Sequence, residues 1–518
     1  MARTPSRPLL PAYQSGALQA FHRVAPGDLT APFVTPHPAD RDRLADALTE
    51  SLRRVDAAPE ALANVERLRH PASRVVVTGQ QAGLLLGPAY TVSKAVNTVL
   101  LAAQLDREDA PVVPVFWVAS QDHDANEAAG TFLLDASEVQ HRLSVPLPAG
   151  VPVGRVALHP AWVERVVLGL RAFAGPKEHR EWVTGLVLDA AAGAATHADW
   201  FTRLLNALLG PWGLVPFNPL DEPLAELFRP GLERELDNPL AGPHAIEDSA
   251  LELEAQGFAA QLRRPSGATN LFLEGRDGQR RLLRFDGRNF QADRPYPRAE
   301  LDAIVRLEPG RLTPAAGLRP VFADMVLPSA VSVLGPGELA YHMELSGVYR
   351  LHRVAQPLLW PRLTVTWLEA PVRRALKHYG LSADAFMRDP AASLEGAALN
   401  VSGAGEAFRA GLVDLELAFE NLAHRLDDLD PTLQGALVRS RSRVMGHVSR
   451  LERKVAAAVV RDEVNLERAD ERLRRFLVPD GVPQERHYSF LTYLLKHGRY
   501  PLDRLRELEP TGDHYLDL

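Results

Sequence analysis

Asp122, His123 and Asp124 form a polar run directly after an apolar segment, and their side chains are well suited to chemistry. A histidine oriented by a neighbouring carboxylate can act as a general acid or base, or bind phosphate. The trio could also contribute to a metal site, although adjacent residues rarely all bind one ion, or it could cap a following helix. We predict that these three residues are catalytic and hold no resident metal.

A glycine-rich loop, GQQAGLLLGP, occupies residues 79–88 and precedes a predicted helix. It matches neither the P-loop nor the dinucleotide fingerprint, which argues against P-loop hydrolysis and hydride transfer. The glycines permit close backbone approach and the helix N-terminus favours phosphate or carboxylate, although a tight turn without a ligand is the alternative. The ligand-binding residues predicted here are Gly79, Gln80, Gln81, Gly83, Gly87, Tyr90 and Lys94.

A second glycine loop, Gly335-Pro336-Gly337-Glu338, again joins an apolar run to the start of a predicted helix. We predict that Gly335, Gly337 and Glu338 contact the ligand. A glutamate in a first helical turn also stabilises the helix dipole, which is the competing interpretation of Glu338. Tyr341 follows one turn later on the same side and is a further candidate contact.

Arg319 and Arg362 are candidates for holding a carboxylate or phosphate through two parallel hydrogen bonds, although either could form a surface ion pair instead. Asn218 ends another apolar run and is predicted to reach the same site. Arg486 interrupts an apolar stretch near the C-terminus, where it marks a hinge or a second ligand contact.

Five short apolar runs, rich in β-branched residues, position these polar stretches and predict strands at residues 74–78, 112–118, 214–217, 330–334 and 357–360. The first two runs flank a glycine loop and a helix, so they predict a right-handed βαβ unit. In such parallel sheets ligands bind at the carboxyl ends of the strands. We therefore predict an α/β fold in which one sheet edge carries all the polar loops.

The segments between the strands are predicted to be insertions, at about residues 131–213 and 222–315. An N-terminal helix is expected over residues 40–69. Short strands are expected at 258–262, 270–274 and 281–285, with a hairpin turn at Asp277-Gly278. This β-rich piece could cover bound substrate or serve as a purely structural flap.

The last third of the chain has apolar residues spaced by three and four, the pattern of a coiled coil. Two long helices, 412–429 and 433–476, are predicted to form an antiparallel hairpin. Because so long an arm cannot bury both faces on its own core, we expect a homodimer. The predicted domains are a core at 1–370, a coiled coil at 371–477 and a tail at 478–518 that packs back on the core.

Composition excludes several classes of protein. The 518 residues contain no cysteine, which rules out disulfides, thiolate metal sites and a cysteine nucleophile. The net charge is -7 and basic residues are dispersed, which argues against nucleic acid as a partner. There is no apolar signal-peptide core and no apolar run of the roughly 20 residues that cross a bilayer, so we expect a cytoplasmic protein without a membrane partner.

Six sequence blocks occur in this order along the chain: TGQQAGLLLGPAYTVSKA, PVFWVASQDHDANE, LRPVFADMVLP, GPGELAYHMEL, WPRL and VPDGVPQER. Together they resemble the bacillithiol biosynthesis cysteine-adding enzyme family, from about residue 70 to the C-terminus. The resemblance implies a Rossmann-like core similar to nucleotidylyl transferases, with connecting-peptide insertions and a coiled coil that forms the homodimer. Gln121 and His342-Met343-Glu344 depart from the family pattern.

The resemblance also implies the reaction, in which a ligase adds L-cysteine to glucosaminyl malate to give bacillithiol. Because a free carboxylate must be activated to form an amide, we expect ATP, with Mg²⁺ only as its companion. His123 would stabilise phosphate or move a proton, and Asp122 would orient it. The alternatives are a nucleotidyl transferase or metal-assisted hydrolase that uses Asp122, His123 and Asp124, and a coiled-coil scaffold without activity.

Overall fold

The computed structural model describes residues 8–34, 36–462 and 464–518, and the chain divides into two units. The first unit runs to Val365 and also contains Tyr488–His514. The second unit comprises Thr366–His487 and Tyr515–Leu518.

A five-stranded parallel sheet forms the centre of the first unit. Its strands are β1 (Arg74–Gln80), β2 (Val112–Val118), β3 (Val215–Phe217), β4 (Ser329–Leu334) and β5 (Leu358–Pro361). Their order is β5-β4-β1-β2-β3, and every neighbouring pair is parallel. The prediction of an α/β protein with a parallel sheet is confirmed.

The sheet is buried on both faces, which is why its strands are continuously apolar rather than alternating. Val75 and Val77 pack with Leu48 on one face, whereas Val76 packs with Val331 and Leu101 on the other. Burying one such side chain contributes on the order of 1.5–3 kcal/mol, so the two layers hold the strand register firmly.

A second sheet of antiparallel neighbours lies between β3 and β4 in the sequence. In spatial order its strands are Leu312–Pro314, Ala268–Glu274, Arg280–Phe285, Phe290–Gln291 and Pro295–Tyr296. Gly130–Leu134 and Gln140–Ser144 form a separate hairpin, and Thr364–Leu368 pairs with Asp513–Asp517.

The strand predicted at residues 258–262 is wrong. The backbone N–H groups of Gln261 and Leu262 donate to the Glu344 carboxylate, at 2.6 and 3.1 Å, instead of to a neighbouring strand. A charged side chain thus replaces the ladder hydrogen bonds, and the segment stays irregular.

Helices surround the sheets of the first unit. They are Leu9–Gln14, Ala31–Val34, Arg41–Arg54, Pro59–Arg67, Tyr90–Leu105, Ala125–Ala128, Pro160–Ala172, Lys177–Ala192, His197–Leu209, Glu222–Ala225, Arg229–Asp237, Ala241–Ala255, Arg298–Leu307, Arg319–Val326, Pro336–His342, Ser346–His352, Leu491–His497 and Tyr500–Arg506. The single helix predicted over residues 40–69 is wrong, since the left-handed Asp56 and then Pro59 divide it into two.

The second unit is helical apart from its part in the paired strands. Its helices are Ala370–Tyr379, Ala383–Arg388, Pro390–Val401, Ala404–Leu429, Gln434–Asp462, Val464–Leu477 and Gln484–His487. The two longest are antiparallel neighbours joined by a short turn, and Arg441 on one pairs with Glu416 on the other at 2.5 Å. Position 463, inside the predicted 433–476 helix, lies outside the described residues. No helix in the described ranges is long and apolar enough to cross a membrane.

Gly79 offers a test of the packing between β1 and β2. A Cβ at this position would lie 2.9 Å from the Trp117 carbonyl oxygen, which is backbone and cannot rotate away. We expect Gly79→Ala to lower the free energy of unfolding by about 2 kcal/mol, as overpacked sites do.

The matched control is Gly337→Ala, since a Cβ at Gly337 meets nothing within 4 Å. Thermal unfolding followed by circular dichroism should show a lower Tm for the first variant only. Equal Tm values would contradict the packing described here.

Candidate active site

A cavity of about 390 Å³ lies at the carboxyl ends of β1, β2 and β4, in the first unit. Part of its wall is apolar and includes Val77, Trp117 and Leu334. Its polar lining residues are Thr78, Gln80, Gln81, Asp122, Glu127, Arg319, Asp324, Ser332, Glu338, Tyr341 and His342. Loops from three neighbouring strands therefore build one compartment at the edge where ligands bind in such sheets.

Lys94 and Glu338 form the central ion pair beside this cavity. The Lys94 ammonium lies 2.9 and 2.8 Å from the two carboxylate oxygens of Glu338, and it donates to the Gly79 carbonyl at 2.6 Å. Glu338 also accepts from the Gly335 N–H at 2.7 Å, at the start of the helix. The pair ties the helix after β1 to the helix after β4.

Burial governs the electrostatics of this pair. Burial lowers the pKa of Lys94, whose side chain is 1% exposed, and the Glu338 charge opposes that shift. Burial alone would raise the pKa of Glu338, but the Lys94 ammonium and the Gly335 N–H together hold it below its ordinary value. The two opposite charges therefore stabilise each other, as expected of a buried pair with satisfied hydrogen bonds.

Asp122 and Arg319 form a second ion pair in the cavity wall, with 2.5 Å between Arg319 Nη2 and Asp122 Oδ1. The buried Arg319 Nε has no hydrogen-bond partner among the described residues. Burial alone would lower the pKa of Arg319, but Asp122, Tyr341 and Glu338 together raise it. A guanidinium with an unsatisfied nitrogen beside a cavity is suited to an anionic ligand.

His123 is held by the second sheet rather than by an aspartate. Arg280 Nη1 donates to His123 Nδ1 at 3.0 Å, and both side chains pack against the Phe272 ring. Burial and the Arg280 charge lower the pKa of His123, so the imidazole is neutral at neutral pH. Because Nδ1 accepts a hydrogen bond, the proton resides on Nε2.

The glycine loop is fixed by the C-terminal segment of the first unit. Leu85, Leu86 and Gly87 all have positive φ, a left-handed conformation that strains the two leucines. Ser489 Oγ donates to the Leu85 carbonyl at 2.9 Å, and the Ala89 N–H donates to the Tyr488 carbonyl at 2.7 Å. One donor at the predicted anion-binding helix N-terminus is therefore occupied by the chain itself.

Seven of the predicted site residues line the cavity: Gly79, Gln80, Gln81, Asp122, Arg319, Glu338 and Tyr341. Lys94 and Tyr90 stand directly behind them, since Lys94 bonds Glu338 and Tyr90 accepts from Gln80 Nε2 at 2.9 Å. His123 adjoins Asp122 but does not line the cavity.

The remaining predicted site residues have other contacts. Asp124 caps the helix Ala125–Ala128, and Asn218 joins Ser120 to Asp221. Arg362 lies over the Tyr90 ring, 5.3 Å from its centroid. Arg486 is exposed and belongs to the second unit. The cavity lining also does not include Gly83, Gly87, Gly335 and Gly337.

Two local features differ from what the sequence pattern favours. A hydroxyl side chain is a preferred N-cap, which favours Thr91 or Ser93 at the start of the helix after the glycine loop, but this helix starts at Tyr90 with Ala89 as its cap. Both residues are therefore inside the first turn. The second feature is the segment after the second glycine loop, where the sequence favours one helix over residues 339–354 but the structure has two, Pro336–His342 and Ser346–His352.

The residues of the site that were not predicted from the sequence include Trp117, Arg280, Asp324 and His342. Asp324 had a detectable signal, because it is the one acid in the short helix that begins at Arg319. Arg280 had none, since only the folding of the second sheet brings it to His123. Among the described residues, no group of three or more His, Asp or Glu side chains could hold a metal ion.

Both units of the chain match models of known protein families. Residues 14–363 match the model described as bacillithiol biosynthesis BshC, N-terminal Rossmann-like domain, and residues 365–515 match its C-terminal coiled-coil domain. The chain belongs to the BshC family. This assignment confirms the resemblance noted from the sequence blocks and the Rossmann-like, coiled-coil fold.

Curated members of the BshC family are similar along nearly their whole length. A protein of Thermus thermophilus is 46% identical over 467 residues, 90% of this chain and 92% of its own. A protein of Salinibacter ruber is 33% identical over 477 residues, 90% of this chain and 87% of its own. Both are named "Putative cysteine ligase BshC", which confirms the prediction of an enzyme of the ligase class.

The Lys94–Glu338 pair generates a stability prediction. Lys94→Met leaves Glu338 without its cation, and we expect the free energy of unfolding to fall by about 2 kcal/mol, less than for a fully buried pair because the Glu338 side chain is partly exposed. Because the pKa of Glu338 is lowered, the contribution is present at neutral pH and is lost as the pH falls through that lowered pKa.

Lys177→Met is the control, since Lys177 and Glu181 form an exposed pair at 3.6 Å on a helix surface. Urea unfolding at pH 7 and at acidic pH measures both variants. The ion pair would be contradicted if Lys94→Met did not lower the free energy of unfolding at pH 7, or if it lowered this free energy more at acidic pH than at pH 7.

Proposed function

We propose that this protein joins L-cysteine to glucosaminyl malate to form bacillithiol, using ATP to activate the carboxyl group of cysteine. The proposal is carried by the cavity at the sheet edge, where two ion pairs flank a partly apolar pocket. Membership of the BshC family, with relatives named as cysteine ligases, supports the same substrates.

The paired charges suit substrates that carry both signs. Cysteine is a zwitterion, and glucosaminyl malate has two carboxylates and an amine. Arg319 can exchange its contact with Asp122 for a substrate carboxylate in a two-point hydrogen bond. Glu338 or Asp122 can then accept from an ammonium group, so each substrate charge finds an opposite charge already desolvated in the wall.

ATP would supply a phosphate leaving group on the carboxyl of cysteine. Two groups near the cavity fit an anion: the unsatisfied Arg319 Nε, and His123, whose Nδ1 is engaged by Arg280 so that Nε2–H is the donor. Asp122 would orient Arg319 rather than His123, which is bonded by Arg280. Mg²⁺ would arrive with the nucleotide.

The direct test mixes the purified protein with cysteine, glucosaminyl malate, ATP and Mg²⁺, and detects bacillithiol by mass spectrometry. We expect product to depend on all four additions. Arg319→Ala should reduce kcat/KM at least tenfold, because it removes the cavity's carboxylate-binding group, a loss of about 1.4 kcal/mol or more.

Arg107→Ala is the matched control, since Arg107 pairs with Asp109 on the exposed surface, away from the cavity lining. Its activity should equal that of the unsubstituted protein. Hydrolysis of ATP or substrate without cysteine incorporation would instead favour the hydrolase alternative. No reaction of any kind would favour the scaffold.

We also propose that the long helices of the second unit mediate a homodimer. They carry large apolar side chains that are 52–59% exposed in the single chain, among them Val413, Leu417, Val438 and Leu451. Apolar stripes of this kind on neighbouring helices are typical of surfaces that another chain covers.

Light scattering coupled to size exclusion should give about twice the chain mass of 56.8 kDa. Leu417→Glu combined with Leu451→Glu should reduce it to one chain mass, because a charge would have to be buried in the interface. The control is Leu168→Glu, an equally exposed leucine of the first unit. A monomer in the unsubstituted protein would contradict the proposal.

A further inference from the structure

Asp324 is a buried acid of the cavity wall that the proposed mechanism has not used. It lies on the helix Arg319–Val326, which also brings Arg319, Pro320 and Ala323 to the cavity. The residue is 2% exposed. Burying a carboxyl group in this way is costly unless its charge is compensated or it takes up a proton.

The contacts of Asp324 differ from those of the other acids in the wall. Asp122 and Glu338 each pair with a cation, and the exposed Glu127 accepts from the Gln80 amide at 3.1 Å. No ion pair joins the buried Asp324 to a basic side chain of the described residues. Its Oδ2 accepts from the Tyr349 hydroxyl at 2.6 Å, and the Ser329 hydroxyl is a second hydrogen-bond partner. Burial raises the pKa of Asp324 to about 7, against the opposing effect of these hydroxyls.

Other titratable and charged groups lie around this helix and cavity, and burial together with the charges of Asp122 and Asp124 raises the pKa of Glu127. His37 Nε2 donates to the Asp324 carbonyl at 2.8 Å, and burial lowers the pKa of His37 to about 4. Burial raises the pKa values of Tyr349 and Tyr341 above their ordinary range. Arg319, on the same helix, is held by Asp122.

Amide formation requires a base, because an amine must lose a proton as it becomes an amide. The efficient base has a pKa near the working pH. His342, also in the cavity wall, is too weak, since burial lowers its pKa to about 4, and the pKa of His123 is lowered as well. Glu338 is a weak base because the Lys94 cation stabilises its charged form, and the Asp122 carboxylate is engaged by Arg319.

We propose that Asp324 accepts the proton of the attacking amine and that Tyr349 is a positioning residue that orients its carboxylate. This inference rests on the proposed function and names the base of that reaction. The amine nitrogen of glucosaminyl malate forms a C–N bond to the activated carboxyl carbon of cysteine. The bond from that carbon to the phosphate oxygen breaks, and the oxygen keeps the electron pair. One N–H proton passes to Asp324, which returns it to solvent.

The test is the pH dependence of kcat/KM for glucosaminyl malate, from about pH 5.5 to 9, in the full-length protein. The unsubstituted protein should gain activity as the pH rises through about 7, where Asp324 becomes a carboxylate. Asp324→Asn should lower kcat by about 10²-fold or more with little change in KM. The residual activity of this variant should lack this rise with pH, the ascending limb of the pH profile.

Tyr349→Phe separates this role from a structural one. The Tyr349 hydroxyl favours the charged carboxylate, so its removal should move the limb to higher pH, by about one unit. A limb that belongs to the substrate amine would not move. Tyr13→Phe is the control, because the Tyr13 hydroxyl is equally buried but donates to the Leu359 carbonyl. Its limb should stay in place.

If bacillithiol forms but the ascending limb of Tyr349→Phe stays at the pH of the unsubstituted protein, this inference alone is overturned. The same holds if Asp324→Asn folds and its kcat is not reduced. Should Asp324→Asn fail to fold, the Tyr349→Phe profile decides. Absence of bacillithiol with the unsubstituted protein would overturn the proposed function, and this inference with it.

Discussion

The site depends on one buried hydrogen-bonded ion pair, between Lys94 and Glu338. An ammonium group with 1% exposure is tolerated only where a carboxylate and further acceptors reach it. Glu338 and the Gly79 carbonyl fulfil this condition, so the helix after β1, the end of β1 and the helix after β4 must all meet at one point. The cavity is the space left beside that junction.

This constraint explains the positions of two glycines near the ion pair. Gly79 lies against the Trp117 backbone, so β1 and β2 can end together, and Gly335 presents its N–H to Glu338. The second ion pair, Asp122 with Arg319, then spans from β2 to the helix before β4. Asp122 and Glu338 are thus each compensated by a cation, whereas the buried Asp324 has only hydroxyl partners. Paired charges are suited to binding and the unpaired acid to proton transfer.

The strands and the edge they share could be predicted from sequence, because buried parallel strands leave a local signal of continuous apolar runs. The Lys94–Glu338 contact could not, since it joins residues 244 positions apart. Asp122, Arg319, Glu338 and Tyr341 were proposed from their places at strand ends, and the cavity brings them together. Arg280 was missed because it comes from the inserted sheet. Asn218 was placed at the right edge, but its amide is used to hold Ser120 and Asp221.

Substrate is proposed to bind in the cavity between β1, β2 and β4. A crystal structure of the protein soaked with glucosaminyl malate would locate the ligand. We expect its density in the cavity, with a substrate carboxylate on Arg319 and the amine within reach of Asp324. Ligand density at another place on the molecule, with this cavity empty, would contradict this proposal.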